Sequence, residues 1–349
     1  MLWMLLVLSI LLQSREAAAE EQRNLTQAKA HPLYPDLYLL GAPKCATTSL
    51  FDLLTKHTGV CRAYEKEVHY FDSDLHYKAG PQYYADHFWK PKCHKKYIDA
   101  TPNYLDSAAA RARMVESFRA DELPRKKFIV VLREPVARAY SWYNHLMRHC
   151  VNTIRDYTHY KVPPRGGWDV QTMCDSNHCR SLQCAAKARY VEPGQEVDFL
   201  ATFEEFVNSP AFPFETGLYM RHLEGWLQHF RRDQFFIVSF ETLLAHTHDV
   251  VLRLSLFLQL SPWPSSKTSS VLPHDNAALV QTTLDCATRN VLVQRYASSV
   301  QHLYAFMGVD TQGDGAHTST NGSIFAQTQP PSEPPFPAFS QNPLPCSVI

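Results

Sequence analysis

The run Gly41-Ala42-Pro43-Lys44-Cys45-Ala46-Thr47-Thr48-Ser49 gathers one ammonium, three hydroxyls and a glycine turn, a set suited to holding a tetrahedral dianion. Backbone N–H groups at a helix N-terminus, with the helix dipole behind them, favour the same kind of ligand. A magnesium-nucleotide loop would place its lysine directly beside the metal-binding hydroxyl, as in GxxxxGK followed by Ser or Thr. Here Lys44 precedes Thr47 by three positions, and the spacing argues against such a loop. Farther on, Leu132-Arg133-Glu134-Pro135 leads to Ser141. Arg133 at a strand end can offer a bidentate fork to a second phosphate, and Ser141 can add a hydroxyl. Between the two lies Lys66-Glu67-Val68-His69-Tyr70-Phe71-Asp72, where Glu67 or His69 can take a proton from an attacking hydroxyl.

These residues need a scaffold that brings them to one place. Leu37 to Leu40 is a compact apolar run closed by Gly41 and Pro43, which reads as a buried strand. Thr48 to Lys56 follows with helical spacing, Leu50, Phe51, Leu53 and Leu54 covering a sheet. Phe128 to Leu132 repeats the pattern as a second strand, with a helix expected over Val136 to Met147. Phe235 to Phe240 is a third strand, preceded by a helix over Tyr219 to Phe230 that carries Leu223, Trp226, Leu227 and Phe230 at helical intervals. Strands alternating with helices predict an α/β fold, a P-loop-like parallel sheet flanked by helices on both faces, with ligands at the carboxyl ends of the strands.

The segment PKCATTSL, residues 43–50, resembles the PKxGTTSL loop that binds the 5′-phosphosulfate in sulfotransferases dependent on 3′-phosphoadenylyl sulfate (PAPS). The stretch from Leu132 to Ser141 is similar to that family's 3′-phosphate element, in the expected order along the chain. The resemblance implies the sulfotransferase fold and PAPS as donor substrate, held by Lys44, Cys45, Ala46, Thr47, Thr48, Ser49, Arg133 and Ser141, with no metal. Residues 66–72 resemble the KExHFFD stretch of heparan-type enzymes. That likeness implies Glu67 as general base and Lys44 as the charge at the leaving phosphate oxygen. His69 then competes for the base role or orients the acceptor. Two departures stand out: Ala100 occupies the lysine position of a KTPxYF-like segment, and Ala46 replaces a glycine, which suits an alanine only if φ is negative. Gly217 to Leu243 resembles the family's GxYxxxLxxWLxxF helix and following strand. Ser239-Phe240-Glu241 falls where an adenine contact is often found, although Phe240 reads equally as a core aromatic. Arg138 fits a surface role as well as any other.

Lys plus Arg and Asp plus Glu balance at 34 each, which excludes a global electrostatic pull toward nucleic acid and leaves any anion site local. Residues 1–19 read as a signal peptide or a short type II membrane anchor, because the apolar run is shorter than the roughly 20 residues a span needs. Residues 20–34 read as a leader. The main domain is expected over 35–308, with a Cys-rich insertion at 150–195 and a disordered Pro-rich tail at 309–349. Asn24-Leu25-Thr26 and Asn321-Gly322-Ser323 are glycosylation sequons. Cys150, Cys174, Cys179 and Cys184 suggest a disulfide-stapled loop rather than a zinc site, since paired CxxC spacing is missing. The functional expectation is a sulfotransferase of the Golgi lumen that acts on a glycan acceptor, a glycosaminoglycan foremost. Its rivals are a protein-tyrosine sulfotransferase, a non-catalytic relative that binds PAP or glycan, and a P-loop kinase. The basic clusters Lys90, Lys92, Lys95, Lys96 and Arg231, Arg232 either hold an acidic polymer or form a solvated face. Nothing in the sequence fixes an oligomeric state.

Overall fold

A computed structural model describes residues 34–88, 95–146, 168–169, 190–191, 202–210, 212–261, 263, 284–309, 336–339 and 346. The central sheet has five strands in the order β2-β3-β1-β4-β7, all parallel. They are β1 Leu37–Gly41, β2 Val60–Arg62, β3 Lys96–Asp99, β4 Lys127–Leu132 and β7 Phe235–Ser239. Trp168–Asp169 and Tyr190–Val191, β5 and β6, pair antiparallel inside the expected insertion. The rest of that insertion, with Cys150, Cys174, Cys179 and Cys184, lies outside the described residues, as do residues 1–33 and both sequons. The central strands β1, β4 and β7 are near-continuous apolar runs buried on both faces, as a sheet covered by helices on each side requires.

From β1 the chain enters helix α1, Thr47–Leu54, and travels to the β2 edge. It returns through the short helices α2, Asp74–Lys78, and α3, Pro81–Asp86, to β3, then passes through α4, Ala108–Ser117, to β4 on the other side of β1. After β4 the helix α5, described over 135–146, carries it away toward β7 by way of α6, Phe203–Val207, and α7, Tyr219–Leu227. Connections from β1 and β4 therefore leave in opposite directions. That is a topological switch point, where a crevice opens at the carboxyl ends of two neighbouring strands. Pairing of Tyr38 with Asp99 and of Leu132 with Ser239 sets those ends side by side, and Ala42 N–H prolongs the ladder to Val131 C=O at 2.8 Å.

Three sequence expectations shift at their margins. Phe240 opens helix α8, Phe240–Ala245, instead of ending β7, because the Ser239 hydroxyl accepts from Thr242 N–H and caps the helix there. Helix α7 stops at Leu227, short of Phe230. The short strands β2 and β3 and helix α9, Thr247–Phe257, carried no clear periodic signal, since short or evenly apolar segments give little. The last helix, α10, Cys286–Met307, packs Leu292 and Tyr296 into a second core with Val136, Tyr143 and Phe206. The tail departs from a disordered linker where it is described: Phe336 and Phe339 are buried, Phe339 N–H donates to the Tyr304 hydroxyl, and Cys346 is disulfide-bonded to Cys286. Among the described residues no helix is long and apolar enough to cross a membrane.

Candidate functional site

The turn after β1 is shaped by backbone that side chains disfavour. At Gly41 a Cβ would come within 2.6 Å of the Pro102 carbonyl oxygen and 2.8 Å of Leu105 Cβ, so only glycine lets the loop close on the segment after β3. Lys44 and Ala46 both take left-handed φ, 69° and 59°. The condition set for Ala46, a negative φ, is therefore not met, and the residue holds a conformation that costs an L-amino acid about 1–2 kcal/mol. Ala46 offers no side-chain cap, and the first ladder bond of α1 is Leu50 N–H to Ala46 C=O at 3.0 Å. The amide groups of Thr47 and Thr48 thus sit ahead of the helix's own ladder, in the geometry that favours an anion. Thr47, Ser49 and Cys45 are buried, while Lys44 and Thr48 are half-buried. Burial pushes the Cys45 thiol up to about 12, which keeps it protonated and unreactive at neutral pH.

Across the switch point, Arg133 leaves the end of β4 and its Nη1 donates to the Lys44 carbonyl at 3.3 Å. Its guanidinium lies 4.4 Å from the centroid of the Phe240 ring, so Phe240 serves as a platform for Arg133. Tyr219 OH on α7 donates to the Arg133 carbonyl at 2.8 Å, fixing the peptide at the strand end. Glu134 then turns its carboxylate onto Val136 and Ala137 N–H at 3.0 and 2.6 Å. Pro135 in the first turn completes the start of α5. Ser141 is half-buried on that helix.

The stretch 66–72 reaches the same end of the sheet through the segment after β3. Asp99 is fully buried and accepts from Tyr84 OH at 2.7 Å, Thr101 Oγ1 at 2.8 Å and Tyr104 OH at 3.1 Å. Burial raises its carboxyl, and those three hydroxyls act in the opposite sense. The Tyr104 oxygen in turn accepts from Tyr70 and Phe71 N–H at 3.1 and 3.4 Å, and Thr101 Oγ1 accepts from His69 N–H at 3.4 Å. Held this way, Glu67 and His69 both adopt left-handed φ, 66° and 52°. His69 Nδ1 lies 2.8 Å from Asp72 Oδ2 and its Nε2 3.7 Å from Glu67 Oε2, while Lys66 Nζ bonds Glu67 Oε1. Hydrogen bonds to Asp72 and then Glu67 lift His69 to about 10. Burial works to raise Glu67, but the bond from His69 and the charge of Lys66 prevail and hold it at about 2. At neutral pH this cluster is a carboxylate with a free lone pair beside an imidazolium that has none.

A strand-loop-helix turn with a second cation at the neighbouring strand end lies at the carboxyl side of the sheet, and the Glu67–His69–Asp72 cluster hangs on the segment that follows β3. Residues 34–273 match the family described as the sulfotransferase domain. The chain belongs to that family. Among curated sulfotransferases it is 26% identical over 232 residues to bifunctional heparan sulfate N-deacetylase/N-sulfotransferase 1 of Xenopus tropicalis, covering 64% of this chain and 22% of that protein. It is 24% identical over 239 residues to heparan sulfate glucosamine 3-O-sulfotransferase 5 of Homo sapiens, covering 68% of this chain and 57% of that one. In both cases the match spans less than two thirds of the relative's own length. A crystal structure of a sulfotransferase from Alicyclobacillus acidocaldarius superposes with a TM-score of 0.52 at 20% identity, over 80% of this chain and 97% of that chain, and shows the fold.

The structure thus sets Lys44, Cys45, Ala46, Thr47, Thr48 and Ser49 in one loop with Arg133 against it, and Glu67 and His69 in a second loop tied to the same sheet edge by Thr101 and Tyr104. Three features escape a linear reading. Asp72 is the nearest partner of His69, a spacing of three that the stretch displayed but did not explain. Tyr219 meets the β4 end only through the tertiary fold, and Arg138, which fitted a surface role as well as any other, is buried with 3% exposure. Arg231 is paired with Asp233, and Arg232 is buried and bonded to the Phe235 carbonyl, so neither is a loose charge awaiting a polymer. Lys96 likewise spends its ammonium on the Leu258 carbonyl at 2.6 Å. Lys90 and Lys92 lie outside the described residues.

Proposed function

We propose that this sulfotransferase moves a sulfuryl group from PAPS to a hydroxyl of a glycan, a glycosaminoglycan foremost, in the lumen of the secretory pathway. The observation that carries the reading is the contact between the Arg133 guanidinium and the Lys44 carbonyl at 3.3 Å. It brings the two anion-binding elements to one crevice, so a single nucleotide with phosphate groups at both ends can be gripped by both. In this reading residues 44–49 hold the phosphosulfate, and Arg133 with Ser141 holds the 3′-phosphate. The S–O bond to the leaving phosphate breaks as the acceptor oxygen bonds sulfur, and the Lys44 charge with the α1 amides offsets the negative charge left on the phosphate. Glu67 receives the acceptor's proton, because it is the member of the cluster with an open lone pair at neutral pH. His69, held protonated by Asp72, orients the acceptor. This arrangement supplies its positive charge from side chains and backbone and calls for no metal.

The glycan acceptor is supported by the heparan sulfate enzymes among the relatives and by the likeness of residues 66–72 to their stretch. Residues 35–308 form the catalytic domain in this reading. Residues 150–195 form an acceptor wall, and 1–19 a signal peptide or short anchor. The test is incubation with radiolabelled PAPS and separate pools of chondroitin, dermatan, heparan and Tyr peptides. Label is expected in a glycan pool and lost in Lys44→Ala and Arg133→Ala. Glu67→Gln should bind PAP normally and transfer nothing. Label in Tyr peptides alone would overturn the glycan assignment, and PAP binding without any transfer would overturn the catalytic one.

A further inference from the structure

Three cations are buried among the described residues, and two of them are held by backbone carbonyls. Lys126, 1% exposed, donates to the Pro35 carbonyl at 3.0 Å and stands 3.5 Å from Asp36. Arg232, 7% exposed, donates to the Phe235 carbonyl at 3.0 Å and lies over the Phe306 ring. Arg138 differs. It is 3% exposed, its Nη2 bonds the Thr216 hydroxyl, and its Nε has no partner. No carboxylate among the described residues comes within ion-pair distance of it, the Asp106 carboxylate acts on it only from farther off, and the ring of Tyr219 is 6.0 Å away. Arginine does not shed its proton in a protein, so this is a full charge in a dry place with one neutral partner. Such a charge is strongly unfavourable unless an opposite charge arrives.

Its position says where that charge would come from. Arg138 lies on the first turn of α5, its N–H bonded to the Glu134 carbonyl at 2.9 Å. Tyr219, whose ring faces it, holds the carbonyl of Arg133 at 2.8 Å. The buried thiol of Cys45, in the anion loop, lies within electrostatic reach of both guanidiniums. Arg138 is therefore joined to the Arg133 strand end through Tyr219 and acts on the buried Cys45 of the loop. We infer that Arg138 is a positioning residue for the anionic donor: a buried guanidinium with no carboxylate at ion-pair distance, seated beside Tyr219 at the Arg133 strand end, whose charge is more fully balanced when the phosphosulfate binds. This rests on the donor reading given above.

The inference predicts opposite signs for folding and for binding. Replacing a buried, unpaired cation by an apolar side chain of similar length relieves the desolvation cost. Arg138→Met should therefore fold with an unfolding temperature equal to or above the parent's. It should also bind PAP about tenfold or more weakly by calorimetry, as loss of an interaction with a charged group does. The KM for the glycan should stay unchanged while the KM for PAPS rises. Arg138→Lys should recover most of the PAP affinity. Thr216→Val, which keeps the charge and removes its hydroxyl partner, should stay within about threefold. A variant Arg138→Met that fails to fold, or that melts lower and binds PAP like the parent, would assign Arg138 an ordinary structural role and overturn the inference alone. Failure of the parent protein itself to bind PAP would overturn the donor reading, and this inference with it.

Discussion

At the scale of single residues, the site is built from conformations and charges that its neighbours must enforce. Lys44, Ala46, Glu67 and His69 all sit at left-handed φ, and such strain gathers where geometry is held for a ligand. Ala46→Gly removes the steric cost of about 1–2 kcal/mol and gives back part of it as unfolded-state entropy, for a net gain of about 0.5–1 kcal/mol. A urea titration should show the unfolding free energy rising by that amount, and a fall would mean that the alanine methyl makes packing contacts worth more than the strain. The acid–base cluster gives a pH signature. His69, raised from 6.5 to about 10, contributes stability that is complete below pH 6.5 and lost as pH climbs through 10. Glu67, lowered from 4.5 to about 2, contributes stability that is complete above pH 4.5 and lost as pH falls through 2. Together they stabilise most between those two bounds, pH 4.5 and 6.5. Asp72→Asn removes the largest cause of the His69 shift, so the imidazole should titrate markedly lower by NMR and turnover should fall as it neutralises. An unchanged His69 titration would show that Glu67 alone sustains it.

Elements come next, because no single loop holds the constellation. The 66–72 stretch has no strand or long helix of its own. It hangs on two hydroxyls, Thr101 and Tyr104, which are anchored on buried Asp99. Tyr104→Phe leaves the Tyr70 and Phe71 amides and one Asp99 lone pair without that oxygen, and unsatisfied buried groups cost about 1–3 kcal/mol. We expect loss of stability in that range on thermal unfolding, with kcat reduced while the KM for PAPS changes little, since the donor loop is laddered to β4 through Ala42 N–H and does not hang on the Tyr104 hydroxyl. Equal loss in both kinetic constants would mean that the two loops move as one.

For the whole molecule, the switch point between β1 and β4 places the proposed donor site, and the C-terminal segment helps hold the frame. Cys286 and Cys346 close a loop of 60 residues, and Phe336 and Phe339 pack against Tyr304 on the same helix. A disulfide closing a loop of this size contributes about 2–4 kcal/mol. Removing it by Cys286→Ser with Cys346→Ser should lower the unfolding midpoint accordingly and leave PAP affinity intact. A large loss of PAP affinity would instead tie the tail to the donor site through α10.

The sequence alone determined the parts whose physics is local. Apolar runs closed by Gly and Pro mark β1 and β4, since a strand buried on both faces has no polar positions to spare. The loop 43–50 and the element 132–141 are legible because the phosphate contacts proposed for them draw on particular residue types at fixed spacing along the chain. Tertiary structure alone decided what depends on neighbours distant in sequence. It set Arg133 against Lys44 across 89 residues, buried Arg138, and left Ala46 at positive φ. Charge, burial and backbone strain at those positions are fixed by packing across the sheet, and a residue's own type carries no record of which strand end will lie beside it.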